Sequence, residues 1–214
     1  MSPNVPNKSL YALRKTPKQA RARATVEAVL DAGARILIEQ GYSKANTNLI
    51  ADTAGISIGS LYEYFPGKEA IFAELRRREG LKTYNELMAE PRPEEPTAVL
   101  RHLVTTYVTR FRDHHQLLVA LENEVPRFAI AELEKAVNDD FMPISDAFLE
   151  VHRSELRPND DVSFISEFLV RVVCSTVIDY AKYAPEKLID PRLTETIIDM
   201  LSRWLLKEVS QDFS

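Results

Sequence analysis

The chain has 214 residues, of which 45% are hydrophobic and 28% charged, so it has enough apolar residues for a folded core and does not resemble an intrinsically disordered chain. Its single cysteine, Cys174, excludes an internal disulfide framework and is typical of a reducing compartment, so we expect a cytoplasmic protein. No apolar run approaches the roughly 20 residues of a membrane-spanning helix, and the first residues lack the apolar stretch of a secretion signal, so no membrane partner is expected.

Charge is distributed unevenly along the chain. The net charge is −5, yet residues 1–68 contain nine lysines and arginines against five acidic residues, whereas residues 69–214 contain eighteen against twenty-seven. A basic first segment on an acidic body is typical of a protein whose first part meets phosphate groups. A basic surface that is merely solvated gives the same asymmetry. The sequence motifs must therefore decide whether this segment binds phosphate groups.

Helical spacing of apolar residues begins soon after the N-terminus. Residues 1–16 show no periodicity and are predicted to form a flexible arm. The apolar ladder from Val26 to Leu37 predicts a first helix over about residues 18–40, which Gly41 ends. Basic residues cluster where the arm meets this helix: Arg14, Lys15, Lys18, Arg21 and Arg23.

The next segment contains two short helices and a tight turn. Asn46 and Ser57 are good N-caps, and Gly55 separates the two helices that they begin. Pro66-Gly67 ends the second of them, and a further helix is predicted over about residues 68–87.

The rest of the chain is predicted to be helical after a linker. Three prolines within residues 90–96 cannot continue a helix, so we place the linker there. Pro143 is expected to kink one of the helices that follow. Because no segment alternates with period two for long enough to form a strand, the fold class is all-α. The helices are predicted at about residues 97–114, 115–125, 127–156, 162–184 and 192–209.

The segment from Asn46 to Lys68, NTNLIADTAGISIGSLYEYFPGK, has the pattern of a helix-turn-helix. Glycine at position 55 can adopt the positive φ of the turn, and Ala51 allows close approach of the two helices. The outward positions carry hydroxyls and amides in place of charges, which is typical of a surface that contacts base edges and phosphate oxygens. An ordinary helical hairpin usually carries Glu and Lys on its open face.

This segment resembles the signature of the TetR family of one-component bacterial regulators. The resemblance covers about residues 20–75 and rests on an Ile-Ala pair, an Ala-Gly turn, a Ser-x-Gly-Ser-Leu-Tyr helix and an aromatic-Phe-x-x-Lys-Glu run. The matching residues are Ile50, Ala51, Ala54, Gly55, Ser57, Gly59, Ser60, Leu61, Tyr62, Tyr64, Phe65, Lys68 and Glu69.

The resemblance implies that residues 57–64 form a recognition helix that enters the DNA major groove. Ile58 is then expected to pack on a thymine methyl. Arg21 and Arg23 either reach nearby phosphates or the minor groove, or remain solvated. The implied organisation is a DNA-binding domain at 17–68 and a ligand-binding and dimerisation domain at 69–214, joined by a helix at 68–88. The DNA-binding residues implied are Thr47, Asn48, Ser57, Ile58, Gly59, Ser60, Tyr62, Tyr64 and Lys68.

The last two helices carry wide apolar surfaces that either fill the protein's own core or meet a second copy. The resemblance implies a homodimer in which these helices pair. A two-fold dimer also provides two recognition helices for two half-sites, whereas one short helix contacts few bases. The interface residues predicted are Phe168, Val172, Ile197, Leu201, Trp204 and Leu205.

The resemblance also implies that the middle helices enclose a small-molecule pocket. An aromatic residue at helical spacing is more often plain core than a pocket wall, so both interpretations stay open for each candidate. Arg171 and Asp179 either bind a polar group of the ligand or lie at the edge of the dimer interface. The ligand-binding candidates are Tyr107, Phe111, Phe128, Phe148, Cys174, Asp179 and Tyr183.

The function expected is therefore that of a regulator, most simply a repressor released from operator DNA by a small-molecule effector. The alternative is a helical small-molecule-binding module whose helix-turn-helix is purely structural. The sequence shows no recognisable constellation of a nucleophile with an acid or base, no metal-ligand spacing and no phosphate-binding glycine loop, so we expect neither an enzyme, nor a metal, nor a cofactor. His114 and His115 are adjacent and point about 100° apart on a helix, which does not suit a shared metal ion.

Overall fold

The computed structural model describes residues 12–89, 94–125, 142–157 and 161–207, and these residues are helical apart from turns and one isolated bridge between Leu156 and Leu206. The all-α prediction is confirmed. None of the helices in these ranges is both long and apolar enough to cross a membrane. The helices are α1 Ala20–Gln40, α2 Thr47–Ala54, α3 Ile58–Tyr64, α4 Lys68–Met88, α5 Pro96–Asn123, α6 142–151, α7 Val162–Tyr183 and α8 Pro191–Leu205, with a 3₁₀ turn at Pro185–Ile189.

The boundaries of the first helices follow from local capping. The Asn46 side chain accepts a hydrogen bond from the Leu49 amide at 2.9 Å, and the Ser57 hydroxyl accepts one from the Ser60 amide at 3.1 Å. Gly55 closes α2 in the left-handed conformation, with φ 68° and ψ 31°. These contacts satisfy backbone groups that a helix end leaves without partners, and they confirm the predicted caps.

The two helices predicted after the linker meet at a kink. Helix α5 runs over Pro96–Asn123 with a kink at His114, whose φ of −128° and ψ of 20° are not helical. The predicted junction between the helices 97–114 and 115–125 is therefore confirmed, and the two helices form the two arms of α5. The carboxylate of Glu95 caps its start, since it accepts hydrogen bonds from the amides of Thr97 and Ala98 at 3.0 and 2.6 Å.

Two helix ends in the second half of the chain were predicted wrongly. The helix predicted over 127–156 ends at residue 151, and its part before residue 142, together with the linker at 90–93, lies outside the described residues. The last helix ends at Leu205, not at residue 209, because Leu206 turns to an extended conformation and pairs with Leu156. The bridging hydrogen bonds are Arg157 N to Leu205 O at 2.8 Å and Lys207 N to Glu155 O at 2.9 Å.

The described residues form two compact units. The first takes residues from Met1–Leu81 and Gln116–Val137, and the second takes residues from Lys82–His115 and Asn138–Ser214. Helices α4 and α5 each pass from one unit into the other. The predicted division at residue 68 was a division by function, and it stays a prediction.

The core of the first unit joins α1 to α4 with the last turns of α5. Leu30, Leu61 and Phe72 are fully buried there, and Leu121 of α5 is buried in the same cluster. The Glu124 carboxylate accepts a hydrogen bond from the Tyr42 amide at 2.9 Å, so the end of α5 also holds the turn that follows α1.

Gly41 is the position in that turn where a side chain is expected to be least tolerated. Its φ is +80°, and a Cβ there would lie 2.8 Å from Glu124 Oε2. We expect Gly41→Ala to lower the free energy of unfolding by about 2 kcal/mol, through backbone strain and displacement of Glu124. Thermal unfolding of Gly59→Ala is the matched control, because its new Cβ would meet no atom closer than 3.8 Å. Equal melting temperatures for the two variants would contradict this account of the turn.

Candidate functional site

Helices α2 and α3 form a helix-turn-helix held together by a small apolar contact. Ile50, Ala51 and Leu61 are buried between α1, α2 and α3, and the Gly55 amide donates to the carbonyls of Ala51 and Asp52 to close the turn. Because both helices are capped at their N-termini and the turn is closed by glycine, the polar face of α3 is held in one orientation.

Most of the predicted DNA-binding residues lie on the outer surface of this motif. Tyr62 is 39% exposed and Ile58 37% exposed. The Tyr62 hydroxyl lies 3.0 Å from Thr47 Oγ1, so a hydrogen bond joins one hydroxyl of α2 to one of α3. Asn48, Ser57 and Gly59 are exposed, and Thr47 and Ser60 are half-buried.

The two serines of α3 share a hydrogen bond as well as a cap. Ser57 Oγ accepts from the Ser60 amide and lies 2.9 Å from Ser60 Oγ. A hydroxyl that is already positioned by a neighbour presents its remaining donor or acceptor in a fixed direction, which suits recognition of base edges.

Two of the predicted residues are engaged inside the protein. Tyr64 is only 9% exposed, and its ring lies under the Lys15 ammonium at 4.6 Å. Lys68 is half-buried and its Nζ donates to the carbonyls of Tyr42 and Ala45 at 3.2 and 3.1 Å. The Lys68 ammonium therefore ties the α1–α2 turn to the start of α4. Its role as a DNA-binding residue stays a prediction.

The three consecutive arginines of α4 pair with carboxylates of the same unit. Arg76 pairs with Glu122 at 2.5 Å, Arg77 with Glu74 at 2.5 Å, and Arg78 with Glu27 and Asp31 at 2.8 and 2.7 Å. These contacts join α4 to α1 and to α5. We therefore infer that these three arginines stabilise the first unit.

The second unit contains an apolar cavity of about 70 Å³. Ser145 on its wall is 4% exposed, and its hydroxyl has no hydrogen-bond partner among the residues that the structure describes. Three of the predicted ligand-binding residues line it: Tyr107, Phe148 and Cys174. The other lining residues are Leu87, Leu100, Leu103, Val104, Ile144, Ser145, Leu169, Val170, Val173 and Leu201.

The remaining ligand-binding candidates are placed elsewhere. Phe111 is buried beside Tyr107, with ring centres 5.0 Å apart, but is not among the lining residues. Tyr183 is 69% exposed and Asp179 is exposed. Arg171 is exposed, pairs with Glu167 at 2.7 Å and is not among the residues that line the cavity, which disfavours the ligand interpretation of that arginine. Phe128 lies outside the described residues.

Comparison with known proteins agrees with this geometry. Residues 29–75, which include all of α2 and α3, match the family model of bacterial regulatory proteins of the tetR family. Over these residues the chain is similar to the TetR family. It is a DNA-binding transcriptional regulator with an N-terminal helix-turn-helix and a helical C-terminal part.

Individual relatives cover most of the chain. The fatty acid metabolism regulator protein of Bacillus subtilis is 26% identical over 156 residues, which are 70% of this chain and 79% of that protein. The structure of the fatty acid degradation regulator FadR from Bacillus halodurans has a TM-score of 0.71 at 18% identity, with 91% of this chain and 99% of that chain covered. FadR from Bacillus subtilis in complex with stearoyl-CoA has a TM-score of 0.65 at 18% identity, with 83% and 98% covered.

The surface of the second unit carries an aromatic cluster on α7 and α8. Phe164 is 56% exposed, Phe168 44% and Trp204 36%. Their rings contact one another, with centres 5.9 Å apart for Phe164 and Phe168 and 5.2 Å for Phe168 and Trp204. We call these three residues, together with the exposed Met200, the aromatic face.

Only part of the predicted dimer interface lies on this surface. Phe168 and Trp204 are exposed and Val172 is half-buried, whereas Ile197, Leu201 and Leu205 are buried in the core of their own unit. The buried stripe of α8 therefore packs inward. Sequence reasoning did not assign Phe164 to the interface, although its spacing of four residues from Phe168 places both on one face of a helix.

Proposed function

We propose that this chain is a repressor that binds a two-fold operator as a homodimer and is released by an effector with an apolar chain. The observation that carries the proposal is the outer surface of α2 and α3. It presents Thr47, Ser60 and Tyr62 as positioned hydroxyls, with Ile58 exposed beside them. Hydroxyls bind phosphates and base edges, and an exposed isoleucine suits a thymine methyl.

The homodimer is supported by the aromatic face. Three contacting aromatic residues exposed on neighbouring helices form the kind of patch that marks a protein interface. A second copy of the chain is the occupant that also supplies a second recognition helix for a second half-site.

The cavity supports an effector with an apolar chain and one hydrogen-bonding group. Its walls are mainly aliphatic and aromatic, and Ser145 places on them a hydroxyl that has no hydrogen-bond partner among the described residues. A cavity of about 70 Å³ is smaller than the roughly 300–1,000 Å³ of ligand pockets, so a long chain must displace lining residues to enter. Leu87 of α4 is one of them. Because α4 is continuous from Lys68 to Met88, its displacement provides a route from the effector to the DNA-binding segment.

The proposal is tested by selecting bound duplexes from random sequence and measuring their affinity by fluorescence anisotropy. If six to ten phosphates are contacted, affinity is expected to fall about 10³–10⁵-fold between 50 and 200 mM salt. A helical module with a purely structural helix-turn-helix would give no specific, salt-sensitive complex.

The effector class is tested with stearoyl-CoA, using coenzyme A alone as the control. We expect stearoyl-CoA to release the selected duplex and coenzyme A not to, because only the former has a chain for the cavity. Ser145→Ala is expected to leave stability unchanged or raise it by up to about 1 kcal/mol, since it removes a buried hydroxyl that has no partner within residues 12–89, 94–125, 142–157 and 161–207. The same variant is expected to need about tenfold more stearoyl-CoA for release. Release by coenzyme A alone would contradict the role of the cavity.

A further inference from the structure

The segment that precedes α1 is attached to the end of the recognition helix. The Arg14 amide donates to the Tyr64 carbonyl at 2.8 Å, and Leu13 packs against the core of the first unit. Lys15 Nζ lies 2.7 Å from Glu63 Oε2 and 4.6 Å from the centre of the Tyr64 ring. A backbone hydrogen bond, an apolar contact and an ion pair therefore hold residues 13–15, which we call the docked arm, beside α3.

The ion pair of the docked arm changes the charge that α3 presents. Glu63 is the one acidic residue in Ile58–Tyr64, and it is exposed next to Tyr62. A carboxylate at that position repels DNA phosphates unless it is neutralised. Its hydrogen bond to Lys15 raises the pKa of the lysine, so the ammonium remains charged at any working pH.

The side chain of Arg14 is available for a further contact. It is exposed, and within the part of the chain that the structure describes no hydrogen bond or ion pair engages its guanidinium. Because the Arg14 amide is hydrogen-bonded to the Tyr64 carbonyl, the Arg14 backbone lies at the carboxyl end of the recognition helix. A guanidinium donates to phosphate oxygens in a bidentate manner, which makes arginine well suited to this position.

We propose that the docked arm is part of the DNA interface: Arg14 binds a backbone phosphate beside the bases that α3 contacts, and Lys15 holds the arm there while neutralising Glu63. This inference rests on the proposed function, because it requires an operator complex. It adds to that function a DNA contact outside the helix-turn-helix. The contact is made by residues 13–15, which precede the first helix.

The phosphate contact is tested with Arg14→Ala on the selected duplex between 50 and 200 mM NaCl. The substitution keeps the backbone bond to Tyr64. We expect the negative slope of log affinity against log salt to become shallower by about 0.9 for each protomer. Affinity at 100 mM is expected to drop about tenfold. The matched control is Arg153→Ala, which removes the same charge from an exposed position of the second unit and is expected to leave the slope unchanged.

The result that overturns the Arg14 assignment is an equal slope for Arg14→Ala and Arg153→Ala while the unmodified protein retains its specific complex. An unmodified protein that forms no salt-sensitive complex would instead remove the proposed function itself. The two failures are therefore distinguishable.

The role of Lys15 is tested by a double-mutant cycle with Glu63. Lys15→Met is expected to lower affinity about fivefold to tenfold, and adding Glu63→Gln to restore most of it, because the charge that Lys15 neutralised is then absent. Melting temperatures should barely change, since the ion pair is exposed. A double variant as weak as Lys15→Met alone would show that the lysine does not act through Glu63, and would overturn that part of the proposal.

Discussion

Charging the aromatic face is expected to separate the protomers and to abolish tight operator binding. In a Phe168→Glu, Trp204→Glu variant, each interface would have to bury four added carboxylates in an apolar contact, which is strongly unfavourable. Sedimentation velocity should show a monomer at micromolar concentrations where the unmodified protein is a dimer. Affinity for the selected operator is expected to fall more than about 100-fold, because a monomer engages one half-site.

The control for this experiment adds the same charges to other exposed apolar positions. Val151 and Ile189 are 72% and 70% exposed, so Val151→Glu, Ile189→Glu also removes two exposed apolar side chains of the second unit. We expect this variant to remain dimeric and to bind DNA normally. Circular dichroism should show unchanged helix content in both variants, because neither substitutes a buried residue. A dimer that survives the Phe168→Glu, Trp204→Glu change would place the interface elsewhere.

Substitutions on α3 are expected to divide into those that weaken all binding and those that alter the preferred sequence. Tyr62→Ala removes a side chain that is proposed to bind phosphate, together with its bond to Thr47, so affinity should drop about 30-fold on every duplex alike. Tyr62→Phe keeps the ring and removes only the hydroxyl, and an intermediate loss is expected. Replacing Ser60 or Ile58 should instead change which base is preferred at single positions of the operator.

The measurement is a repeated selection from random duplexes with each variant, followed by affinities on a shared panel. Tyr62→Ala should return the same sequence motif with lower affinity, whereas Ile58→Ala or Ser60→Ala should return an altered motif. A uniform loss on every duplex for all three positions would mean that α3 does not contact the bases through Ser60 and Ile58.

Local signals explain why the helix-turn-helix could be predicted from sequence. Asn46, Gly55 and Ser57 each act on backbone groups within a few residues, so their chemistry determines where α2 and α3 begin and end whatever the rest of the chain does. The turn also requires a positive φ that glycine adopts at little cost. The end of α8 depends on the bridge between Leu156 and Leu206, which are distant in sequence, and periodicity does not reveal such a contact.

Partners distant in sequence explain most of what could not be predicted. Lys68 bonds to carbonyls more than twenty residues away, and Lys15 pairs with Glu63 across 48 positions. An amphipathic helix also shows the same apolar stripe whether it faces its own core or a second copy. For that reason the apolar spacing of α8 could not show that Ile197 and Leu201 point inward while Trp204 points outward.

The central claim is that paired copies of the chain hold two half-sites through α3. Titrating the selected duplex with protein in sedimentation velocity tests it most directly. We predict saturation at two protomers on a duplex with inverted half-sites about 34–36 Å apart or a multiple of that spacing, with binding lost when half a helical turn is inserted between them. Protein that remains monomeric and does not sediment with the duplex even at low salt would contradict the account.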